Sequence, residues 1–197
     1  MREMIKMVIV LTVLSSFSGG LLAALNNGLS KNIENQELEF VKGPAIRNIL
    51  KGASNDPIVD RFKITEGKKG TSFFVGVYDG KADTVAFEST GKGFGGDIGL
   101  MVGVNVEEDK IINVGVTTHN ETPGIGSNAK TDVNFSNQFK GLSIADTFKI
   151  KAEDGQIDAI SGATVTSKGV CVAITNAGRI YRQLKPQIIE ELRKYQK

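Results

Sequence analysis

The sequence predicts an α+β protein in which antiparallel β-sheet hairpins pack with C-terminal helices, preceded by one N-terminal transmembrane helix. Three observations predict this class: an uncharged apolar run near the N-terminus, apolar segments separated by turn residues in the middle, and a long apolar stripe at helical spacing at the end. Strands followed by helices are typical of α+β folds. The 197 residues therefore divide into an anchor at 1–25, a helical stalk and connector at 26–56, and a globular domain at 57–197.

The first predicted element is a membrane anchor. Met7–Leu25 contains 19 residues without a charge and follows Arg2 and Lys6. At about 1.5 Å of rise per residue, such a helix nearly spans a hydrocarbon core of roughly 30 Å. A basic flank stays in the cytoplasm, so we expect a single-pass protein of the inner (cytoplasmic) membrane with its main domain on the periplasmic (extracytoplasmic) side. A cleaved signal peptide is the alternative, although its apolar core is typically only about 7–15 residues.

A polar helical stalk and then a sheet are predicted to follow the anchor. Gly43-Pro44 interrupts the helical pattern before a short apolar helix at 45–50. Asp79-Gly80 is a hairpin turn signal. The triplet Val-Gly-Val occurs at 75–77 and again at 102–104, which fits neighbouring hairpins of one antiparallel sheet. The predicted strands are 72–78, 84–87, 98–104 and 111–116.

The C-terminal part is predicted to be helical. Its apolar residues recur at spacings of three and four, the pattern of a helix with one buried face. Pro186 is expected to divide this segment into two helices, because a proline inside a helix removes a hydrogen bond. The stripe consists of Val170, Ile174, Ala177, Tyr181, Leu184, Ile188, Leu192 and Tyr195.

Composition argues against several function classes. The net charge of +2 arises from interspersed charges, which argues against nucleic acid as a partner, because phosphate binding needs clustered Lys and Arg. The chain has one cysteine, Cys171, and one histidine, His119, which disfavours a zinc site and rules out an internal disulfide or a CxxC motif. We therefore predict no metal site and no catalytic side chain, and any electron transfer would need a bound organic cofactor.

A run rich in hydroxyl groups lies just before the predicted C-terminal helix. It is Asp158–Ser167, with the sequence DAISGATVTS. A helix N-terminus suits a phosphate group, and Gly162 and Ala163 keep the surface free of bulk. A threonine hydroxyl is an unactivated alcohol, and no histidine lies within this run, so a phosphoester there would need another enzyme. The residues alone leave two interpretations open: hydroxyls that cap the helix, or a hydroxyl that carries a phosphate-linked group.

The run Asp158–Thr164 resembles the flavinylation signature of the FMN-binding domain family, Asp-x-x-Ser/Thr-Gly-Ala-Thr. Three further segments agree with that family. The loop Glu121–Gly126 resembles its E-T-P-G-L-G element, with Ile125 in place of Leu, and Gly93–Ile98 resembles its G-Y-G-G-x-I element, with Phe94 in place of Tyr. Phe139-Lys140-Gly141 also matches a family F-K-G element. With the anchor, the resemblance covers nearly the whole chain.

The resemblance implies an FMN joined through its phosphate to Thr164. The chemistry of the residues does not exclude the neighbouring hydroxyls of Ser161, Thr166 and Ser167. The further flavin contacts that the resemblance implies are Ser161, Gly162, Ala163, Val165 and Thr166 around the attachment residue, and Glu121, Thr122, Gly124 and Ile125 in the loop.

Four other residues or runs have simpler expected roles. Asp158 is hypothesised to present the signature to a flavin transferase, with a turn carboxylate as the alternative. His119 is expected to be an exposed loop histidine, although it could also tune the flavin. Cys171 is expected to be buried, and the acidic run 107–109 to be a solvated turn.

Within the family, one anchor and one domain of this length most resemble the G subunits of Rnf-type ion-translocating electron transport complexes. This resemblance implies a flavoprotein that relays electrons between cofactors on other membrane subunits of the complex, after maturation by a flavin transferase. Three alternatives remain open: a component like the C subunit of the Na⁺-translocating NADH:quinone reductase, an independent extracytoplasmic flavin reductase, and a non-redox scaffold module whose hydroxyl-rich run only caps a helix.

Overall fold

The computed structural model describes residues 2–66 and 69–196, and the chain divides into two compact units with the boundary between residues 39 and 40. The first unit is essentially one helix, α1, Arg2–Gln36. Its segment Arg2–Asn26 is long and apolar enough to cross a membrane, and none of it is buried against other parts of the protein. The segment predicted as the anchor is helical, and the helix continues without a break into the first part of the predicted stalk.

A single antiparallel sheet organises the second unit. In the described part of the chain its strand order is β1-β2-β3-β4-β5, so each strand pairs with its neighbours in sequence. The strands are β1 Arg61–Glu66, β2 Lys69–Tyr78, β3 Lys81–Lys92, β4 Asp97–Asn105 and β5 Lys110–Val116. All four predicted strands are present within longer ones. β1 was not predicted, because only Phe62 and Ile64 among its six residues are apolar.

The predicted hairpin relationships are confirmed. Asp79 and Gly80 form the β2–β3 turn with positive φ angles of 49° and 79°, a conformation that Asp and Gly tolerate. The two Val-Gly-Val triplets lie on β2 and β4, on either side of β3. Val85 of β3 pairs with Val75 on one side and with Val104 on the other.

Short helices surround the sheet. A π-helical segment, Glu37–Lys42, leads into α2, Gly43–Ile49, which begins with Gly43-Pro44 because proline is tolerated in a first helical turn. Ile46, Ile49 and Leu50 of this region are buried, as the predicted apolar helix requires. The remaining short elements are α3 Asn128–Thr131, α4 Val133–Asn137, and the 3₁₀ turns Lys151–Glu153 and Arg193–Tyr195.

The C-terminal segment is one helix, α5, Thr164–Leu192, so the predicted division at Pro186 is wrong. Pro186 is exposed, while Leu184 and Ile188 on either side of it are buried in the core. Their packing holds the helix together across the missing hydrogen bond. The predicted stripe from Val170 to Leu192 is buried throughout, and Tyr195 packs against its end.

The acidic turn between β4 and β5 is tied to α5, which corrects the prediction of a merely solvated turn. Asp109 accepts hydrogen bonds from the Tyr181 hydroxyl and from Lys185 Nζ, each at 2.6 Å. Glu107 and Glu108 are exposed, as predicted. The buried Cys171 is also as predicted, and burial raises the pKa of its thiol to about 12.

Helix α5 packs closely on β3 at a point where two glycines meet. A Cβ atom added to Gly91 of β3 would lie 2.0 Å from the carbonyl oxygen of Gly169 of α5. A Cβ on Gly169 would lie 2.7 Å from the carbonyl oxygen of Lys92. Since both obstacles are backbone atoms, a side chain could be accommodated only by moving α5 away from β3.

We expect Gly91→Ala to lower the free energy of unfolding by about 2–3 kcal/mol, because it forces extra volume into a packed contact. Gly115→Ala is the matched control, since its added Cβ would meet Ile49 and Ala45 at 3.6 and 3.7 Å, ordinary contact distances. Urea unfolding of the full-length protein in detergent measures both. Equal stability of the two variants would contradict the close packing.

Candidate functional site

Three segments that are distant in sequence meet at the N-terminus of α5. They are the loop 93–96 between β3 and β4, the loop 117–127 after β5, and the turn 158–163 with the first turn of α5. Together they enclose an open cavity of about 290 Å³. Its lining consists of Phe94, Glu121, Thr122, Ile125, Gly126, Gly162, Ala163, Thr164, Val165 and Thr166.

The turn that leads into α5 is held by Ser167. Its Oγ accepts a hydrogen bond from the Ile160 amide and donates one to the Ala163 carbonyl, both at 3.0 Å. Gly162 has a φ of 74°, which glycine adopts at little cost. The N-cap is Ala163, which makes no side-chain capping bond, so the interpretation of the hydroxyls as helix caps is wrong.

The other end of the signature is held by Gln138. Its Oε1 accepts from the Asp158 amide at 2.7 Å, and its Nε2 donates to the Asp158 carbonyl at 3.1 Å. The exposed Asp158 carboxylate pairs with Lys151 at 2.7 Å. Side chains thus fix the backbone on both sides of the turn, whereas the hypothesised role of Asp158 towards a transferase stays a prediction.

Burial separates the four hydroxyls of the run 158–167. Thr166 and Ser167 are 2 % and 0 % exposed, and both hydroxyls are engaged in hydrogen bonds within the protein. Ser161 is exposed but lines a different cleft, beside α4. Thr164 is exposed, is the first residue of α5, and lines the cavity. Of these four hydroxyls, only that of Thr164 is accessible at the cavity.

A buried carboxylate, that of Glu121, forms part of the cavity wall and is only 6 % exposed. One of its oxygens accepts from the Thr166 hydroxyl, and the other accepts from the Gly95 amide at 2.9 Å. Burial by itself would raise the pKa of Glu121, but these hydrogen bonds, the Phe94 amide and nearby His119 hold the pKa below its usual value. Glu121 is therefore ionised at neutral pH.

The mouth of the cavity is apolar. Phe94, Ile125 and Val165 come from the three different segments and are 76 %, 47 % and 47 % exposed. Flat aromatic ligands bind such surfaces, whereas the free amides of a helix N-terminus bind anions. The cavity therefore suits a ligand that combines a flat ring with an anionic group.

Eight of the ten predicted contact residues line this cavity, and Gly124 and Ser161 do not. Gly126, the last residue of the loop 122–126 that was expected to line the flavin, also lines the cavity, whereas Phe94 lines it without having been predicted as a contact; an aromatic residue within a glycine-rich run was the signal for Phe94. His119 is half-buried rather than exposed, because its Nδ1 accepts from the Glu121 amide at 3.3 Å. The described residues contain no group of His, Cys, Asp and Glu suited to a metal ion.

Comparison with known proteins finds similarity along most of the chain. Residues 93–178, which include every cavity-lining residue, match the family model of the FMN-binding domain. The chain is 31 % identical over 179 residues to the G subunit of the ion-translocating oxidoreductase complex of Methanosarcina acetivorans, covering 89 % of this chain and 93 % of that relative. It is 31 % identical over 170 residues to the G subunit of the proton-translocating ferredoxin:NAD(+) oxidoreductase complex of Clostridium ljungdahlii, covering 85 % of each.

The fold is also found in a solved structure. The crystal structure of the C subunit of the Na(+)-translocating NADH-quinone reductase from Parabacteroides distasonis superposes with a TM-score of 0.61 at 25 % sequence identity. The similarity covers 79 % of this chain and 96 % of that one.

Two substitutions test the different environments of the site hydroxyls. Thr166→Val leaves the Glu121 carboxylate without its hydroxyl donor, so we expect a loss of about 1.5–3 kcal/mol of unfolding free energy at pH 7. Thr164→Val alters an exposed side chain and should change stability by less than about 0.5 kcal/mol. Urea unfolding of the apo-protein distinguishes them, and similar losses in both variants would contradict the assignment.

The pH dependence of the Thr166→Val effect has a definite sign. Because the pKa of Glu121 is lowered by folding, its ionised form stabilises the protein above the unfolded pKa of about 4.3, and this contribution is lost as the pH falls through the folded pKa. The stability difference between wild type and Thr166→Val should therefore shrink as the pH is lowered from 7 towards 3. A difference independent of pH would mean that the Thr166 hydroxyl does not act through the Glu121 charge.

Proposed function

Because the chain belongs to the family of FMN-binding G subunits of ion-translocating oxidoreductase complexes, we propose that it relays electrons through an FMN linked by its phosphate to Thr164. One observation carries the choice of residue: among the four hydroxyls of the run 158–167, that of Thr164 alone is both exposed and at the cavity. Thr166 and Ser167 are buried and hydrogen-bonded, so an attaching enzyme would have to open the fold to reach them.

The residues of the cavity fit an FMN. Phe94, Ile125 and Val165 present apolar surface to the ring, and the first amides of α5 lie beside Thr164, where the phosphate would be held. Gly162 and Ala163 leave this end of the cavity free of bulky side chains. When bound, FMN supplies the one- and two-electron chemistry that the side chains of the chain lack.

The attachment reaction requires a second enzyme. In a phosphoester linkage Thr164 Oγ1 replaces a leaving group on the flavin phosphate and loses its proton, which needs a base. The carboxylate in the cavity wall, that of Glu121, is already bonded to Thr166, and the run 158–167 contains no histidine. The base and the activated flavin donor therefore belong to a flavin transferase.

We place the chain in the membrane with α1 as an uncleaved single-pass anchor. Arg2 and Lys6 precede the apolar core of the helix, so the positive-inside rule puts the flavin domain on the extracytoplasmic side. There a reversibly bound cofactor would be lost by dilution, since occupancy follows the concentration of free ligand. A covalent bond removes this dependence.

The immediate partners are other membrane subunits of the same complex, between whose cofactors the FMN would pass electrons. The relatives support a G subunit over a C subunit, because the G subunits of Methanosarcina and Clostridium align over at least 85 % of both chains.

The absence of a capping role for the hydroxyl-rich run removes the main support for a non-redox scaffold module.

Replacing Thr164 tests the attachment site. After co-expression with a flavin transferase, Thr164→Val should lose the covalent flavin while the domain stays folded, because valine keeps the shape and lacks the oxygen. Thr164→Ser is the matched control and should retain flavin, since it restores a hydroxyl at the same position. Intact mass and flavin fluorescence on denaturing gels give the result, and peptide mapping locates the flavin. Thr164→Val protein that still carries covalent flavin would overturn the assignment.

A further inference from the structure

We propose that Glu121 is the positioning residue of the flavin cavity: its side chain ties the three walls together, and its charge makes the bound flavin harder to reduce. The inference rests on the proposed function for its redox part only. The positioning part concerns contacts within the chain and holds with or without the cofactor.

The carboxylate of Glu121 connects the three segments through its hydrogen bonds. Glu121 belongs to the loop 117–127, one of its oxygens accepts from Thr166 in the first turn of α5, and the other accepts from Gly95 in the loop 93–96. These partners lie 45 and 26 residues away in sequence. One buried side chain thus connects all three segments that carry the apolar residues of the cavity mouth.

The loop 93–96 packs closely against the backbone next to Glu121, with no room for a side chain at Gly95. A Cβ atom added to Gly95 would lie 2.0 Å from the carbonyl oxygen of Asn120. The loop therefore packs directly on the backbone beside Glu121, which brings the Gly95 amide to the carboxylate. Phe94, the residue between Gly93 and Gly95, is held at the cavity mouth by this contact.

The negative charge of Glu121 is stabilised by hydrogen-bond donors, the Thr166 hydroxyl and the Gly95 amide, rather than by a Lys or Arg side chain. Among the described residues, no Lys or Arg lies within ion-pair distance of its carboxylate. The charged or titratable neighbour that affects it is His119, whose Nδ1 accepts a hydrogen bond from the Glu121 amide. A buried and unpaired negative charge acts strongly at short range, because little water is present to screen it.

Reduction adds electrons to the flavin ring, and a fixed negative charge in the wall of the cavity opposes this addition. Charge placed close to a cofactor is one of the means by which a protein sets its potential. We therefore expect Glu121 to shift the midpoint potential of the bound FMN to a more negative value than a neutral residue at the same position would give.

The chain offers an isosteric variant that separates the two roles. In Glu121→Gln the amide oxygen can still accept from Gly95, and the Thr166 hydroxyl can turn to accept from the new NH₂ group. This variant removes the charge and keeps the hydrogen bonds to Gly95 and Thr166. Glu121→Ala removes the charge and both hydrogen bonds. Glu107→Gln is the matched control, because it makes the same charge change in an exposed turn away from the cavity.

The experiment measures three quantities on the full-length protein produced with a flavin transferase. They are the midpoint potential of the bound FMN by spectroelectrochemical titration, the fraction of protein that carries covalent flavin, and the thermal unfolding temperature of the apo-protein. We expect Glu121→Gln to shift the potential to a more positive value with attachment close to wild type, and Glu107→Gln to leave the potential unchanged. Glu121→Ala should lower both the unfolding temperature and the attached fraction.

Thr166→Val should shift the midpoint potential of the bound FMN in the direction opposite to that of Glu121→Gln. It removes the donor that screens the carboxylate, so the potential should become more negative than in wild type. A Glu121→Gln potential equal to that of wild type and Glu107→Gln would overturn the role of the charge. A Glu121→Ala apo-protein as stable as wild type would overturn the claim that Glu121 holds the three segments together. If wild-type protein carried no covalent flavin, the proposed function would fail, while apo-protein stability would still decide the positioning role.

Discussion

The close packing of α5 on β3 is the constraint on which the rest of the structure depends. Gly91 and Gly169 have no side chains, so the two backbones come into direct contact. This contact lies three residues before Phe94 on one side and five residues after Thr164 on the other. It therefore brings the start of the helix to the loop 93–96 and places the free amides of the helix at one end of the sheet. The cavity exists because helix and sheet meet there without an intervening side chain.

The contacts around the cavity separate two kinds of residue. One kind is buried and holds the walls: Glu121, Thr166 and Ser167 use their hydroxyl and carboxylate oxygens on each other or on the backbone. The other kind is exposed and lines the cavity: Phe94, Ile125, Val165 and Thr164. This division leaves one hydroxyl accessible where the buried hydroxyls of Thr166 and Ser167 are hydrogen-bonded within the fold. It also explains how a run of similar residues can present a single hydroxyl to the cavity.

The same division explains why the domain suits a relay. The apolar mouth opens at the surface, where a flat ring would stay within reach of a redox partner, and the free amides at the N-terminus of α5 lie beside Thr164, where an anionic group would be held. The walls of the cavity are connected by hydrogen bonds to the buried carboxylate of Glu121.

Elements with local signals could be predicted from the residues alone. The uncharged run Met7–Leu25, the turn at Asp79-Gly80, the apolar segments of the strands and the stripe along α5 follow from hydrophobic patterning and turn chemistry, and the signature lies at the cavity. Features that depend on contacts between distant segments emerged only from the folded chain. Packing on both sides of Pro186 keeps α5 continuous, β1 is stabilised by pairing with β2, and Glu121 buries the Thr166 hydroxyl while Thr164 stays exposed. Four hydroxyls in one short run look alike in sequence, because burial and hydrogen bonding arise only when residues 26 and 45 positions apart are brought together.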